Sequence, residues 1–207
     1  MEPIYTIIDA SSFLNLLEFE YYRGTLLDVL ATEVILRYSS TVAQEIQRHN
    51  PSSIMAINNQ IYHPQRYNID EYESRLFDVV SQSDENKGEK HNFGIALDFF
   101  TAERKRNLIF LTDDDKAIEE NGCLNEVMHA FPIIKIWNSF DVVLFLYFIK
   151  KKEFPFDIAN TALKELHKCT IPRDAPEMSR DKMQMRRKKL RNYQQSLDRI
   201  KTLHRRG

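Results

Sequence analysis

The chain has 207 residues, of which 43% are hydrophobic, and its 13 Phe and 9 Tyr supply enough apolar surface for one domain of ordinary size. Only 5 Gly and 7 Pro argue against a loop-rich protein or a β-sandwich and favour long helices. The net charge of −1 hides an asymmetry, because residues 173–207 hold 12 Lys/Arg and 4 Asp/Glu while the first 172 residues hold 17 and 26.

The start of the chain and its cysteines predict a cytosolic protein. Glu2 and Asp9 interrupt the start before a hydrophobic run develops, so we expect no signal peptide. The apolar stretch 140–149 is too short to cross a bilayer, so we expect no membrane partner. Cys123 and Cys169 form no metal or redox motif with their neighbours, and we expect both to be reduced thiols.

Hydrophobic patterning predicts alternating strands and helices. Strands are predicted at 4–8, 34–36, 108–111 and 133–137, and helices from 13, at 26–30, from 41, and at 70–80, 89–105, 116–121, 123–129, 140–151 and 158–168. The run from Leu108 to Leu111 is apolar throughout, which is typical of a parallel sheet that helices cover on both faces. We therefore predict an α/β fold with three layers, α/β/α, around a central parallel sheet.

Three consecutive carboxylates follow the strand at 108–111. Asp113, Asp114 and Asp115 come directly after Thr112, at the end of the strand where parallel sheets bind ligands. Adjacent carboxylates repel one another unless a cation neutralises them or water solvates them. The triplet therefore predicts either a cation site or a solvated acidic turn that caps the next helix.

Three further carboxylates stand at the ends of predicted elements. Asp9 ends the first strand and precedes Ser11, whose hydroxyl can cap a helix or hold a metal-bound water. Glu45 lies one turn into the helix that follows residues 39–41, and Glu89 opens the long helix. Taken singly, a cap explains Asp9, solvent exposure explains Glu45, and the helix dipole explains Glu89.

The spacing of these acids suits a metal centre. Asp9, Glu45, Glu89 and the triplet are about 35, 45 and 25 residues apart, which brings acids from different element ends to one edge of the sheet. Several oxygen ligands are what one or two Mg²⁺ or Mn²⁺ ions require. Such ions promote phosphodiester hydrolysis by in-line displacement, and this is our functional hypothesis.

The sequences around the acids resemble the PIN-domain nucleases found among VapC-type toxins. The resemblance extends over residues 4–168, most of the chain. The segment 7–11, Ile-Ile-Asp-Ala-Ser, resembles the family's first strand and first metal-binding acid. The segment 41–45 resembles the helix of the second acid.

Two more motifs follow in the family's order. Gly88-Glu89, with small residues after it, resembles the GE motif of one branch, and Glu89 stands where many relatives have Asp. The segment 111–114 resembles the T-x-D motif after the fourth strand, which favours Asp114 as the fourth acid. The extra aspartate leaves Asp113 and Asp115 as alternative metal ligands.

The resemblance implies a PIN-like fold and endonucleolytic cleavage of single-stranded or structured RNA with Mg²⁺ or Mn²⁺. Four acids would hold the metal: Asp9, Glu45, Glu89 and Asp114. The hydroxyls of Ser11 and Thr112 would orient ligands or water. Among toxins of this family an antitoxin silences the site with a basic side chain, so an antitoxin partner is implied, and a homodimer is compatible with the resemblance.

A basic helix follows a linker at 170–176, which predicts a nuclease domain at 1–170 and a helical tail at 171–207. Apolar residues of the tail fall on one stripe: Met183, Leu190, Tyr193, Leu197 and Ile200. Basic residues surround the stripe: Arg186, Arg187, Lys188, Lys189 and Arg191. The stripe predicts a helix packed on the domain or on a partner, whereas the basic residues predict an RNA-binding arm or a segment that silences the acidic site.

Two other functions compete with the nuclease. One is a non-catalytic PIN-like module that binds nucleic acid or a protein through the tail, although a decayed site usually lacks one of the acids. The other is a phosphoacceptor receiver domain, which also gathers acids at strand ends. A receiver domain needs an acid paired with the first strand and a lysine that ends the last strand, whereas Glu2 comes too early and Lys135 lies inside a strand.

Overall fold

A computed structural model describes residues 3–51, 87–101, 107–114, 134–169 and 180–206. The chain divides into two compact units, one formed by Met1–Leu14 and Ala31–Asn138 and the other by Asn15–Leu30 and Ser139–Gly207. Several predictions concern residues outside the described ranges: the helices at 70–80, 116–121 and 123–129, the linker at 170–176, Cys123 and Asp115.

The described elements follow one another as β1 (Tyr5–Ile8), α1 (Ala10–Glu18), β2 (Glu20–Tyr21), β3 (Gly24–Thr25), α2 (Leu26–Ala31), β4 (Ile35–Arg37), α3 (Ser40–His49), α4 (Lys87–Thr101), β5 (Leu108–Leu111), β6 (Lys135–Trp137), α5 (Ser139–Ile149), α6 (Phe156–Cys169) and α7 (Arg180–Arg206).

The first unit is built on a four-stranded parallel sheet with strand order β4-β1-β5-β6. β1 lies inside the sheet, where Thr6 is opposite Leu36 on one side and Ile109 on the other. All four residues of β5 are buried, as its apolar sequence predicts for a parallel strand. The predicted α/β class, with a central parallel sheet flanked by helices, is confirmed.

Two helices of this unit position the residues at the carboxyl ends of the strands. Ser39 caps α3 by accepting a hydrogen bond from the backbone of Val42 at 3.2 Å. α4 packs on β1 and β5, and α3 packs on α4. The buried Phe99 of α4 contacts the ring of Tyr5 in β1, with 5.3 Å between the ring centroids.

The second unit contains a short antiparallel hairpin and four helices among its described residues. β2 and β3 form the hairpin, and Gly24 adopts a φ of 107°, which a residue with a side chain rarely tolerates. α7 packs on α5 and α6, where Leu197 is fully buried and the Tyr193 hydroxyl donates to Asp141 at 3.0 Å. Contacts thus group α7 with α5 and α6, and the predicted division into 1–170 and 171–207 stays a prediction.

The predicted element boundaries differ from the observed ones by a few residues. α1 begins at Ala10 and not at Phe13, because Asp9 itself caps the helix. The hairpin of β2 and β3 was not predicted, since two-residue strands are too short to show a pattern. Within the described ranges, every helix is too short or too polar to traverse a lipid bilayer.

Candidate functional site

Asp9 is held by three hydrogen bonds at the carboxyl end of β1. Its Oδ1 accepts from the backbone N–H of Ser12 at 2.7 Å. Its Oδ2 accepts from the hydroxyl of Ser11 at 2.9 Å and from the hydroxyl of Thr112 at 2.5 Å. The bond from Ser12 makes Asp9 the cap of α1, yet its side chain is only 1% exposed, whereas a cap at a helix end is commonly solvated.

Burial makes Asp9 a perturbed acid. Desolvation raises the pKa of its carboxyl to about 6, against the hydrogen bonds from Thr112 and Ser12, which lower it. The negative charge of Asp113 raises the pKa further, so Asp113 lies close enough for electrostatic repulsion. A proton or a cation would relieve this repulsion, which makes the carboxyl end of β1 a site where positive charge is favourable.

Thr112 joins the ends of three strands. It follows β5, its N–H donates to the carbonyl of Trp137 in β6 at 2.9 Å, and its hydroxyl donates to Asp9 after β1. The same hydroxyl accepts from the backbone N–H of Asp114 at 3.1 Å, which fixes the start of the acidic turn. Asp113 and Asp114 are half-buried, while Asp115 lies outside the described residues.

Glu45 lies on α3 with its carboxylate against the first turn of α4. A Cβ added at Gly88 would stand 3.0 Å from Oε2 and 3.1 Å from Oε1 of Glu45. Burial raises the pKa of Glu45, while the nearby Arg48 and His49 lower it. Glu89 follows Gly88 directly, so the backbone of the predicted third acid is next to Glu45; the side chain of Glu89 lies outside the described residues.

Asn92 is a site residue that the sequence did not indicate. It is fully buried on α4, and its Nδ2 donates to the carbonyl of Ile8 at 2.7 Å. Its Oδ1 accepts from the backbone N–H of Ser39, the cap of α3, at 2.9 Å. One amide therefore connects the residue before Asp9 with the start of the helix that holds Glu45.

α4 holds two other polar residues that were missed. The hydroxyl of Thr41 on α3 lies 2.7 Å from Nδ1 of His91, which adds a second contact between α3 and α4 near Gly88. Asp98 is a buried acid further along the helix, with 1% of its surface exposed. Neither residue belongs to a recognisable motif, and the contact between Thr41 and His91 depends on a helix crossing that sequence does not reveal.

The structure brings some of the predicted site residues together. Asp9, Ser11 and Thr112 are in contact, Asp113 acts on Asp9 electrostatically, and Glu45 adjoins the first turn of α4. Across the described ranges, which omit the side chain of Glu89 and all of Asp115, three or more His, Cys, Asp or Glu residues are nowhere grouped so that they could hold a metal ion.

The five predicted RNA-binding residues of α7 differ in their surroundings. Arg187, Lys188 and Arg191 are exposed. Arg186 is half-buried; burial lowers the pKa of His167, and the positive charge of Arg186 lowers it further. Lys189 is also half-buried, with its Nζ 5.8 Å from the centroid of the Phe140 ring. These arginines and lysines belong to the second unit, and the acids belong to the first.

Comparison of the chain with protein-family models, with curated proteins and with solved structures finds no match. The PIN-like interpretation therefore stays a hypothesis. Its support comes from the order of the sequence motifs and from the geometry around Asp9.

Proposed function

We propose that the chain is a PIN-like endoribonuclease with a three-layer α/β/α domain that depends on Mg²⁺ or Mn²⁺. The observation that carries the proposal is the placement of Asp9, a buried carboxylate after an inner parallel strand, beside the Thr112–Asp114 turn after the adjacent strand. Parallel sheets bind ligands at the carboxyl ends of their strands, and these acids follow the ends of two adjacent strands.

The donor atoms suit a hard divalent cation. Asp9 Oδ1 accepts one hydrogen bond in the described structure and so keeps a lone pair for a cation. Asp113, Asp114 and Glu45 would add oxygen donors from neighbouring elements if a cation drew them towards Asp9, and Glu89 would complete the set. Oxygen ligands of this kind select Mg²⁺ or Mn²⁺ over softer metals.

In this mechanism the protein holds its carboxylates in the orientation that binds the metal ion. The bound ion would lower the pKa of water and offset the charge that builds up on the phosphate. The hydroxyls of Ser11 and Thr112 fix the Asp9 carboxylate, so that little reorganisation accompanies binding. Burial keeps bulk water from Asp9 and strengthens its attraction for a cation.

The proposal is tested by incubating mixed RNA with the protein and Mn²⁺ or Mg²⁺, and with EDTA. We expect cleavage that EDTA abolishes and that Asp9→Asn lacks, while circular dichroism shows an unchanged fold. Asp28→Asn is the control, because the Asp28 carboxylate also accepts a hydrogen bond at the start of a helix, from the N–H of Thr25 at 2.8 Å, but is exposed and lies in the other unit. Metal-dependent cleavage that survives in Asp9→Asn refutes the assignment.

A binding module is the second candidate, and the exposed Arg187, Lys188 and Arg191 on α7 favour it. Such a module binds RNA without cleaving it, and its affinity for RNA is the same in Asp9→Asn as in the wild type. An antitoxin-like partner, a homodimer and a cytosolic location belong to the nuclease hypothesis. Co-purification and light scattering test the two assemblies.

A further inference from the structure

We propose that Asn92 is a positioning residue that sets the distance between Asp9 and Glu45, an inference that rests on the proposed nuclease function. The buried amide donates to the carbonyl of Ile8, the residue before Asp9. It accepts from the backbone of Ser39, the cap of the helix that holds Glu45. Asn92 touches neither acid through these bonds and acts on both through the backbone.

The chemistry of the side chain suits this role. One end of the amide must donate and the other must accept, and both partners are backbone groups of buried residues. Aspartate has the same shape but cannot donate from its ionised form, and alanine satisfies neither partner. Leaving one buried backbone group unsatisfied is costly.

The position of Asn92 on α4 explains how one residue affects two acids. Gly88 and His91 contact Glu45 and Thr41 of α3, and Asn92 is one turn beyond Gly88 on the same helix. The bond to Ile8 fixes that helix to β1. A shift of α4 along its axis would therefore move Glu45 relative to Asp9.

Two kinds of variant separate the two bonds. At a pH high enough to ionise the buried carboxyl, Asn92→Asp keeps the acceptor for Ser39 and removes the donor for Ile8. Ser39→Pro removes the N–H that reaches Asn92, and the φ of −75° and ψ of 162° at Ser39 suit proline. Ser39→Ala is the matched control for the proline, because both lose the hydroxyl cap and only the proline loses the N–H.

A further control separates positioning from stability. Ile95→Ala removes a fully buried side chain from the same helix and leaves the amide intact. Each variant is compared with the wild type in chemical denaturation, in the rise of the melting temperature with Mn²⁺ concentration, and in kcat and KM for RNA cleavage. The Mn²⁺ titration is independent of catalysis.

At a temperature where all variants are folded, we expect Asn92→Asp and Ser39→Pro to bind Mn²⁺ about 10–100-fold more weakly and to lower kcat more than they raise KM. Ile95→Ala and Ser39→Ala should keep wild-type Mn²⁺ affinity although they are less stable. Equal Mn²⁺ affinities in Asn92→Asp and Ile95→Ala overturn the positioning role while leaving the nuclease intact. A wild-type protein that neither binds Mn²⁺ nor cleaves RNA overturns the proposed function and this inference with it.

Discussion

The carboxylate of Glu45 occupies the space that a side chain at Gly88 would need. An ideal Cβ at position 88 would be 3.0 Å from Oε2 of Glu45 and 3.2 Å from Cγ2 of the buried Val42. Glycine therefore allows a negative charge to approach the first turn of α4, where the helix dipole favours it. The same close approach brings Glu45 next to the backbone of Glu89.

Gly88→Ala should separate activity from stability. Alanine favours the helix by up to about 1 kcal/mol, which opposes the cost of crowding Val42, so we expect a free energy of unfolding within about 1 kcal/mol of wild type. The Glu45 carboxylate is the flexible neighbour and should move away. We expect Mn²⁺-dependent RNA cleavage to fall about tenfold or more, measured at saturating RNA.

Gly94→Ala is the control for this substitution, because it makes the same change on the same helix. Equal activities of Gly88→Ala and wild type would show that the position of Glu45 is irrelevant to cleavage.

Thr112→Val should destabilise the protein in a pH-dependent way. Valine has nearly the shape of threonine but cannot donate to Asp9 or accept from the N–H of Asp114. Loss of a hydrogen bond to a charged group costs about 1.5–3 kcal/mol, and the pKa of Asp9 should rise further. Urea denaturation at pH 8 and pH 5 should show the larger loss at pH 8, where Asp9 is ionised. Thr112→Ser keeps the hydroxyl and should behave like wild type apart from one lost methyl group.

The sheet could be predicted because its signal is local. β1 and β5 are each a short run of consecutive, mostly apolar residues, and hydrophobic burial places such runs inside the sheet. The acid directly after β1 then marks the end of that strand. The closeness of Asp9 and Thr112 followed from one rule, that parallel strands end at the same edge. The sequence also indicated that the hydroxyl of Thr112 could orient an acid, and the structure shows the bond.

Asn92 could not be predicted, because its partners are 84 and 53 residues away and are backbone groups. Every residue has a backbone C=O and every residue except proline has a backbone N–H, so no sequence motif marks a bond to such a group. The approach of Glu45 to Gly88 likewise depends on how α3 and α4 cross. Side-chain packing between the two helices sets how they cross, and helix periodicity alone does not predict that packing.

The raised pKa of Asp9 predicts how stability changes with pH. The folded pKa of about 6 lies above 3.8, the usual pKa of an aspartate, so between these pH values the folded protein binds the proton that the unfolded chain releases. Stability that Asp9 contributes is therefore present below pH 3.8 and is lost as the pH rises through about 6. The loss is about 3 kcal/mol, since each pKa unit corresponds to about 1.4 kcal/mol.

Asp9→Asn removes this titration, so the stability of the wild type relative to Asp9→Asn should fall as the pH rises from 4 to 8. Urea unfolding of both proteins in metal-free buffer, at several pH values, measures the difference. A difference that is constant over this range would contradict the perturbed pKa.

Mn²⁺ should offset the stability that the wild-type protein loses as the pH rises through about 6. A cation binds ionised carboxylates, so its affinity should rise as the pH is raised from 5 to 7 and Asp9 loses its proton. We expect Mn²⁺ to raise the melting temperature strongly at pH 7.5 and weakly at pH 5, and EDTA to abolish the rise. Asp9→Asn should show no rise at either pH. A rise of equal size in Asp9→Asn would place the ion elsewhere on the protein.

The exposed face of α7 should control RNA binding through charge. Replacing Arg187, Lys188 and Arg191 together by Gln removes three exposed positive charges and leaves the half-buried Arg186 and Lys189 in place. For single-stranded RNA, each lost phosphate contact should reduce the slope of log affinity against log salt by about 0.7, so the triple variant should lose about 2. Fluorescence anisotropy at several salt concentrations measures the slope. A control that replaces the exposed Lys151, Lys152 and Lys164 by Gln changes the net charge equally and should keep the wild-type slope, because those lysines lie outside α7, two of them in the turn after α5 and one on α6. Equal slopes for the two triple variants would mean that net charge alone, and not the face of α7, attracts RNA.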